Sequence, residues 1–309
     1  MKGCSFSVII PTFRRPDKLK RAIRSVLNQT YKNYEVIVVD DDRENDLLES
    51  VIAECDDKRI TLLKNSRTKG AHGARNTGIL SAKNDFLTFL DDDDEWKSNH
   101  LAEINNYYSK NNSFSVTLSA HLIKEKSHTK KIVHRDKSIT LKTFLQKGIS
   151  VNAGTSFCCR RSLFKQVGLF DENMKREEDI DLLIRILKIT PIALLSTPTA
   201  IIYGHNEPDI DVQIDTRNYL FKKLEKSEID HCLIRPFKCR NFYELASFSF
   251  HNRQMTNGIL YTYKAFLHGL INPLSYIKLS IVALDTYSGF NIEVSLKKVF
   301  FKPFSQQNG

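Results

Sequence analysis

No run of eighteen apolar residues occurs anywhere in these 309 residues, so no membrane-spanning helix is expected. A secretory leader is not expected either, because the early apolar stretch "FSVIIPTF" is too short for a signal core and runs into Arg14 and Arg15. The six cysteines (Cys4, Cys55, Cys158, Cys159, Cys232 and Cys239) include no CxxC pair and no finger spacing. That excludes a metal finger and leaves free thiols in a reducing cytoplasm as the simplest reading. Low-complexity tracts are missing too. With 41% hydrophobic and 27% charged residues, the chain is expected to fold as one large α/β domain or a domain with a smaller appendage.

Acid is the minority charge. The balance of +10 admits nucleic acid, an anionic membrane surface or a phosphorylated substrate as partner. Much of the excess lies in residues 121–147, "HLIKEKSHTKKIVHRDKSITLKTFLQK". No helix-turn-helix signature, zinc finger or RNA-binding aromatic motif accompanies it, so nucleic acid is not expected.

Strand and helix signals alternate through the first ~200 residues. "FSVIIP" (6–11) is a β-branched run ended by Pro11. Leu19, Ala22, Ile23, Val26 and Leu27 then recur at helical spacing behind Pro16-Asp17. "YEVIVV" (34–39), "RITLL" (59–63) and "DFLTFL" (85–90) are further strands, and "GARNTGILSA" suits a helix opening after glycines. Continuous apolar strands between helices imply a mainly parallel sheet covered on both faces, with ligands at the carboxyl ends of its strands. Beyond residue 206 the texture becomes helical ("RNYLFKKLEKSEI", "YELASFSFHNRQ", "LYTYKAFLHGL"). Residues 1–205 are therefore expected to form the α/β domain and 206–309 a helical C-terminal region.

Two acidic clusters fall at strand ends, Asp40 to Asp42 after the second strand and Asp91 to Asp94 after the fourth. Like charges at that density repel each other unless solvated or neutralised by a cation. An EF-hand is excluded, since neither cluster has glycine at the sixth loop position and glutamate at the twelfth. A third group, "KREEDIDLLIRIL", sets Glu177, Glu178 and Asp179 before Leu182, Leu183 and Ile186, at the start of an amphipathic helix. There the helix dipole favours ionisation of Asp179 while its acidic neighbours oppose it.

With these pieces placed, the chain resembles a family-2 inverting glycosyltransferase of the GT-A (Rossmann-like) fold, of the bacterial polysaccharide-biosynthesis type. The matching residues are "SVIIPTFRRPDKLKRAIRSVLNQTYKNYEVIVVDDD" (7–42), "GARNTGI" (73–79), "FLTFLDDDDEW" (86–96), "GLFDE" (168–172) and "EEDIDLLIRI" (177–186). Together they span roughly residues 5–205. The resemblance implies transfer of a sugar from a nucleotide donor, UDP-linked by expectation, to an acceptor hydroxyl. Pro11, Thr12 and Phe13 would line the nucleobase pocket, and Asp41 would accept the uracil N3–H, a donor that cytosine lacks.

Asp91-Asp92-Asp93 matches the family's DxD motif. Asp93 would be the ligand of a divalent cation, Mn²⁺ or Mg²⁺, while Asp91 and Asp92 would face the donor. Such a cation stabilises the leaving diphosphate as a Lewis acid. Asp94 is expected to be exposed. Asp179 matches the general base, which a single in-line displacement requires on the acceptor side. Arg75 would reach phosphate, or else stay a structural arginine at a helix start, and Asn76 would brace the loop beneath the donor. Some relatives use a histidine at the place of His205 as a further metal ligand; a lone histidine after a strand is more often a surface or core residue. Trp96 would stack on a sugar ring or pack beneath the acidic loop.

The acceptor is less legible. The basic 121–147 segment suits a polyprenyl-diphosphate-linked glycan, or is a solvated hairpin. The end of the chain, with Lys278, Lys297, Lys298 and Lys302 among apolar and aromatic residues, suits an anionic membrane, or is a core helix with a basic tail. The expected setting is cytoplasmic, peripheral on the inner face of the cell membrane. Two other functions compete: a nucleotide-sugar-binding module without catalysis, and a sugar nucleotidyltransferase. The second is opposed by "PTFRRPDK", where a glycine-rich phosphate loop would be needed.

Overall fold

The computed structural model describes residues 3–44, 47–111, 113–125, 128–149, 152–204, 209–269 and 273–288. The chain divides into two compact units, residues 1–144 with 149–206, and residues 145–148 with 207–309.

The first unit opens as its periodicity predicts. Strand β1 (Phe6–Thr12) is followed by helix α1 (Pro16–Leu27), β2 (Tyr34–Asp40), α2 (Glu49–Cys55), β3 (Ile60–Lys64), α3 (Ala71–Ser81) and β4 (Phe86–Phe89). Pro16 takes the first helical position of α1, where its missing N–H is no loss, and the apolar stripe Leu19, Ile23 and Val26 is fully buried. These strands pair in parallel in the order β3-β2-β1-β4, with Phe6 opposite both Tyr34 and Phe86. Val8, Ile10, Val36 and Val38 point to the α1 side, where Leu101 and Ile104 of α4 (His100–Lys110) complete the core. Helix α3 covers β1 closely because Gly78 has no side chain; a Cβ there would lie 2.5 Å from Ile9.

Beyond β4 the sheet becomes mixed. Strand β5 (Glu95–Trp96), β6 (Val116–Lys124), β7 (Thr129–Ile132), β8 (Ser138–Ile139), β9 (Phe157–Arg160) and β10 (Ile192–Tyr203) extend it in the order β4-β9-β6-β10-β5. Strand β9 runs antiparallel to both β4 and β6, whereas β6 and β10 are parallel. The basic 121–147 stretch becomes the β6–β7 hairpin, β8 and α5 (Leu141–Lys147), and the described residues of β7 are largely exposed. Two four-residue helices, α6 (Ala153–Ser156) and α7 (Phe164–Val167), flank β9, and α8 (Glu178–Leu187) leads into β10. All six cysteines are free thiols.

The second unit holds α9 (Ile210–Glu225), α10 (His231–His251), α11 (Met255–His268) and α12 (Pro273–Ser288). Asp209 and Asp230 cap α9 and α10, each carboxylate accepting the backbone N–H two residues on. Phe221, Phe237, Phe242 and Tyr261 form its aromatic core. Among the described residues no helix is long and apolar enough to cross a membrane. Lys297, Lys298, Lys302 and the side chain of Lys278 lie outside what is described, as does His205.

Candidate active site

The carboxyl ends of β1, β2 and β4 open into a cleft of about 840 Å³. Pro11, Thr12, Phe13, Asp41, Arg75, Asp91, Asp92, Asp93 and Asp179 all line it. These residues come from five separate stretches of sequence: three at the ends of the parallel strands β1, β2 and β4, and two on helices α3 and α8.

At one end Asp41 is tied to the loop before α3. Its Oδ1 accepts from Asn65 Nδ2 at 2.6 Å and its Oδ2 from the Gly70 N–H at 2.8 Å. Asp40 turns away and caps its own turn, accepting the Asp42 N–H at 2.9 Å and pairing with Lys64 at 3.1 Å. The exposed ring of Phe13 is flanked by Arg14 and Lys69, at 5.1 and 4.9 Å from its centroid.

The acidic run after β4 splits by direction. Asp92 and Asp93 are buried against α1: Thr12 Oγ1 donates to Asp92 at 2.8 Å, and Arg15 donates to Asp92 at 3.3 Å and Asp93 at 3.0 Å. Lys18 adds a bond to Asp93 at 3.2 Å. Arg15 and Lys18 are therefore site residues that sequence reasoning left unassigned. Their signal was present, as two cations three residues apart at the start of the helix that leaves β1. Burial raises the Asp92 carboxyl above the usual range, against the Thr12 hydrogen bond that lowers it.

Asp91 takes a bond from Arg75 Nη2 at 2.6 Å, and its carboxylate sits over Gly154 of α6, where a Cβ would approach within 2.3 Å. Asp94 corrects the expectation of exposure, since it is fully buried. It accepts from Thr155 Oγ1 and, at 3.0 Å, from the Tyr203 N–H; burial and then Asp91 push its carboxyl up to about 8. Trp96 packs rather than facing the cleft. It stacks on His100 at 4.2 Å and donates Nε1–H to the Thr155 carbonyl at 2.8 Å.

Across the cleft α8 begins with Glu177 in the left-handed conformation (φ 57°), an uncommon one for a side chain of this size. Glu178 accepts from Arg75 Nη1 at 2.7 Å, so this one buried arginine bridges Asp91 to the start of α8. Burial opposes the Arg75 charge, but Asp91 and Glu178 more than offset it and its pKa lies above the ordinary arginine value. Asp179 beside it has a carboxyl pushed up to about 6 by burial and by Glu178, with Arg75 pulling the other way.

Asn76 braces the floor, donating to the Phe170 carbonyl and Glu172 and accepting the Phe170 N–H, all between 2.7 and 3.0 Å. Burial opposes the Glu172 charge, but hydrogen bonds from Thr68, Arg67 and Asn76 draw its carboxyl down to about 2. His205 falls outside the described residues, although Gly204 before it lines the cleft.

The arrangement offers an end formed by Phe13 and Asp41, a carboxylate group with two cations against it, and a carboxyl of raised pKa at the far wall. Residues 7–168 match the model of glycosyl transferase family 2. The chain is 42% identical over 106 residues to the UDP-Glc:alpha-D-GlcNAc-diphosphoundecaprenol beta-1,3-glucosyltransferase WfgD of Escherichia coli, covering 34% of this chain and 42% of that protein. It spans about half the length of the curated relatives it matches. The fold is shared with S. aureus TarS in complex with UDP-GlcNAc, at 16% identity, a TM-score of 0.66 and coverage of 97% of this chain and 93% of that one. A mannosyltransferase from Pyrobaculum calidifontis in complex with GDP-Man and Mn²⁺ aligns at 14% identity with a TM-score of 0.57, covering 98% and 89%. The matched family model takes in just over half of the chain and carries both acidic strand ends, and the protein belongs to glycosyl transferase family 2.

Proposed function

We propose that this protein is an inverting glycosyltransferase that moves a sugar from a UDP-sugar to a hydroxyl of a polyprenyl-diphosphate-linked glycan, in the assembly of a surface polysaccharide such as O-antigen or capsule. The observation that carries this reading is the convergence of nine family-matching residues on one cleft. The acceptor class rests on the name of WfgD. In this reading residues 1–205 are the nucleotide-sugar-binding catalytic domain, and 206–309 serve the acceptor or the membrane. The setting is the cytoplasmic side of the cell membrane, with an anionic lipid surface as partner.

Phe13 offers a ring face to uracil. Each Asp41 oxygen already accepts one hydrogen bond and keeps a lone pair for the N3–H. Arg15 and Lys18 offset the repulsion among the carboxylates and supply positive charge where the diphosphate would lie. Mn²⁺ or Mg²⁺ fits this donor set. Asp91 and Asp93 both line the cleft, and carboxylate oxygens are the hard ligands these ions prefer. Asp93 would hold the ion, with His205 a second candidate; bound, it would act as a Lewis acid towards the leaving diphosphate. Asp179 takes the proton from the acceptor hydroxyl as that oxygen attacks the anomeric carbon from the face opposite the diphosphate, which inverts the centre.

The test is Asp179→Asn. Turnover should fall by about 10²–10⁴-fold while titration calorimetry finds UDP binding unchanged. Near-normal turnover would remove Asp179 from the role.

A further inference from the structure

Helix α11 is apolar on both sides. Its inner face, Gly258, Tyr261 and Ala265, is buried, and a Cβ on Gly258 would come within 2.3 Å of the Phe250 ring of α10. Its outer face carries Ile259, Leu260, Tyr263, Phe266 and Leu267 at helical spacing, each between 42 and 62% exposed. Helix α12 continues this side: Tyr276 meets Phe266 edge-on at 6.3 Å, and Ile277 is 51% exposed. Apolar side chains scattered singly on a surface need no explanation, whereas six gathered on adjoining helices mark a contact surface.

Charge selects the partner. From Leu245 to Leu284 the chain runs forty residues without an aspartate or glutamate, while carrying Arg253, Lys264 and Lys278. Exposed Arg235 of α10 donates to the Leu267 carbonyl at 3.5 Å, which sets a cation at the rim of the apolar face. Lys264 lies over the Tyr261 ring at 5.1 Å. Burial and then the charge of Asp211 on α9 raise the pKa of the Tyr261 hydroxyl, which belongs to the buried face of the helix. An apolar and aromatic face with a cationic rim matches an anionic bilayer surface, where rings and aliphatic groups enter the acyl boundary and cations meet headgroups. A second copy of the chain would bring the same cations to the contact and supply no opposite charge.

We propose that the outer face of α11, with Ile277 of α12, seats this protein on an anionic membrane surface. The proposal rests on the peripheral-membrane reading above and assigns the contact to a folded helix face, not to the basic tail that carries Lys297, Lys298 and Lys302. The test uses the full chain with vesicles of phosphatidylcholine containing phosphatidylglycerol, and vesicles of phosphatidylcholine alone. The wild type should bind the anionic vesicles more tightly. The variant Leu260→Ser/Tyr263→Ser/Phe266→Ser/Leu267→Ser, altered only at exposed positions, should partition about tenfold or more less strongly, with UDP binding retained. Should that variant fold poorly, Phe266→Trp provides a second measurement. Its emission should shift to the blue on anionic vesicles, over a constant background from buried Trp96.

A wild type that binds no anionic vesicles overturns the membrane reading and this assignment with it. Equal binding by wild type and serine variant, or no emission shift from F266W, overturns the α11 assignment alone. A concentration-dependent dimer that the serine variant abolishes, with vesicle binding unmoved, overturns it in favour of contact between copies.

Discussion

Asp179 has to be ionised when it takes the acceptor proton, and its surroundings set where that happens. Burial raises its pKa most and Glu178 next, Arg75 opposes them, and the balance is about 6. A base of that strength suits proton abstraction near neutral pH. We expect kcat/KM to rise with pH through an acid limb near 6. Glu178→Gln removes a like charge and should move that limb downward; a limb that stays in place would contradict the assignment. Stability runs the other way. The folded value exceeds the unfolded one, so this group's contribution is fully present below about pH 4 and is lost as pH rises through about 6. Sequence showed Asp179 and its acidic neighbours but not the sign of the shift, because enclosure and the Arg75 charge arrive from distant parts of the chain.

At the scale of elements, the turn after β4 does two jobs that its uniform composition conceals. Asp91, Asp92 and Asp93 line the cleft, while Asp94 points inward and joins α6 to the end of β10 through Thr155 and the Tyr203 N–H. Asp94→Ala would leave that N–H without its acceptor and should lower stability by about 1–3 kcal/mol in urea unfolding. Asp94→Asn keeps an acceptor and should lose much less. Equal stability of Asp94→Ala and wild type would show that the junction contributes nothing. The periodic elements β1, α1, β2, β3, α3 and β4 were legible because each repeats a local pattern. Strand β9, inserted antiparallel between β4 and β6, was not, since its place depends on long-range pairing. The same holds for α6, which brings Gly154 beneath Asp91.

At the scale of the whole molecule, every residue lining the cleft lies in the unit that holds the sheet. A chain ending at residue 206 should therefore keep the UDP affinity of the full protein in calorimetry. Lost affinity would mean that residues 207–309 help to form the donor site. The sequence by itself determined the order of the first four strands and the helices between them, the two acidic strand ends, the family, and the long acid-free stretch near the C-terminus. All of these are properties of neighbouring residues. Only the tertiary structure decided which three of four consecutive aspartates line the cleft, which cations hold them, how far Asp179 is shifted, and which side of α11 is exposed. Burial and ionic partnership are set by segments that meet only when the chain folds, so local pattern carries no record of them.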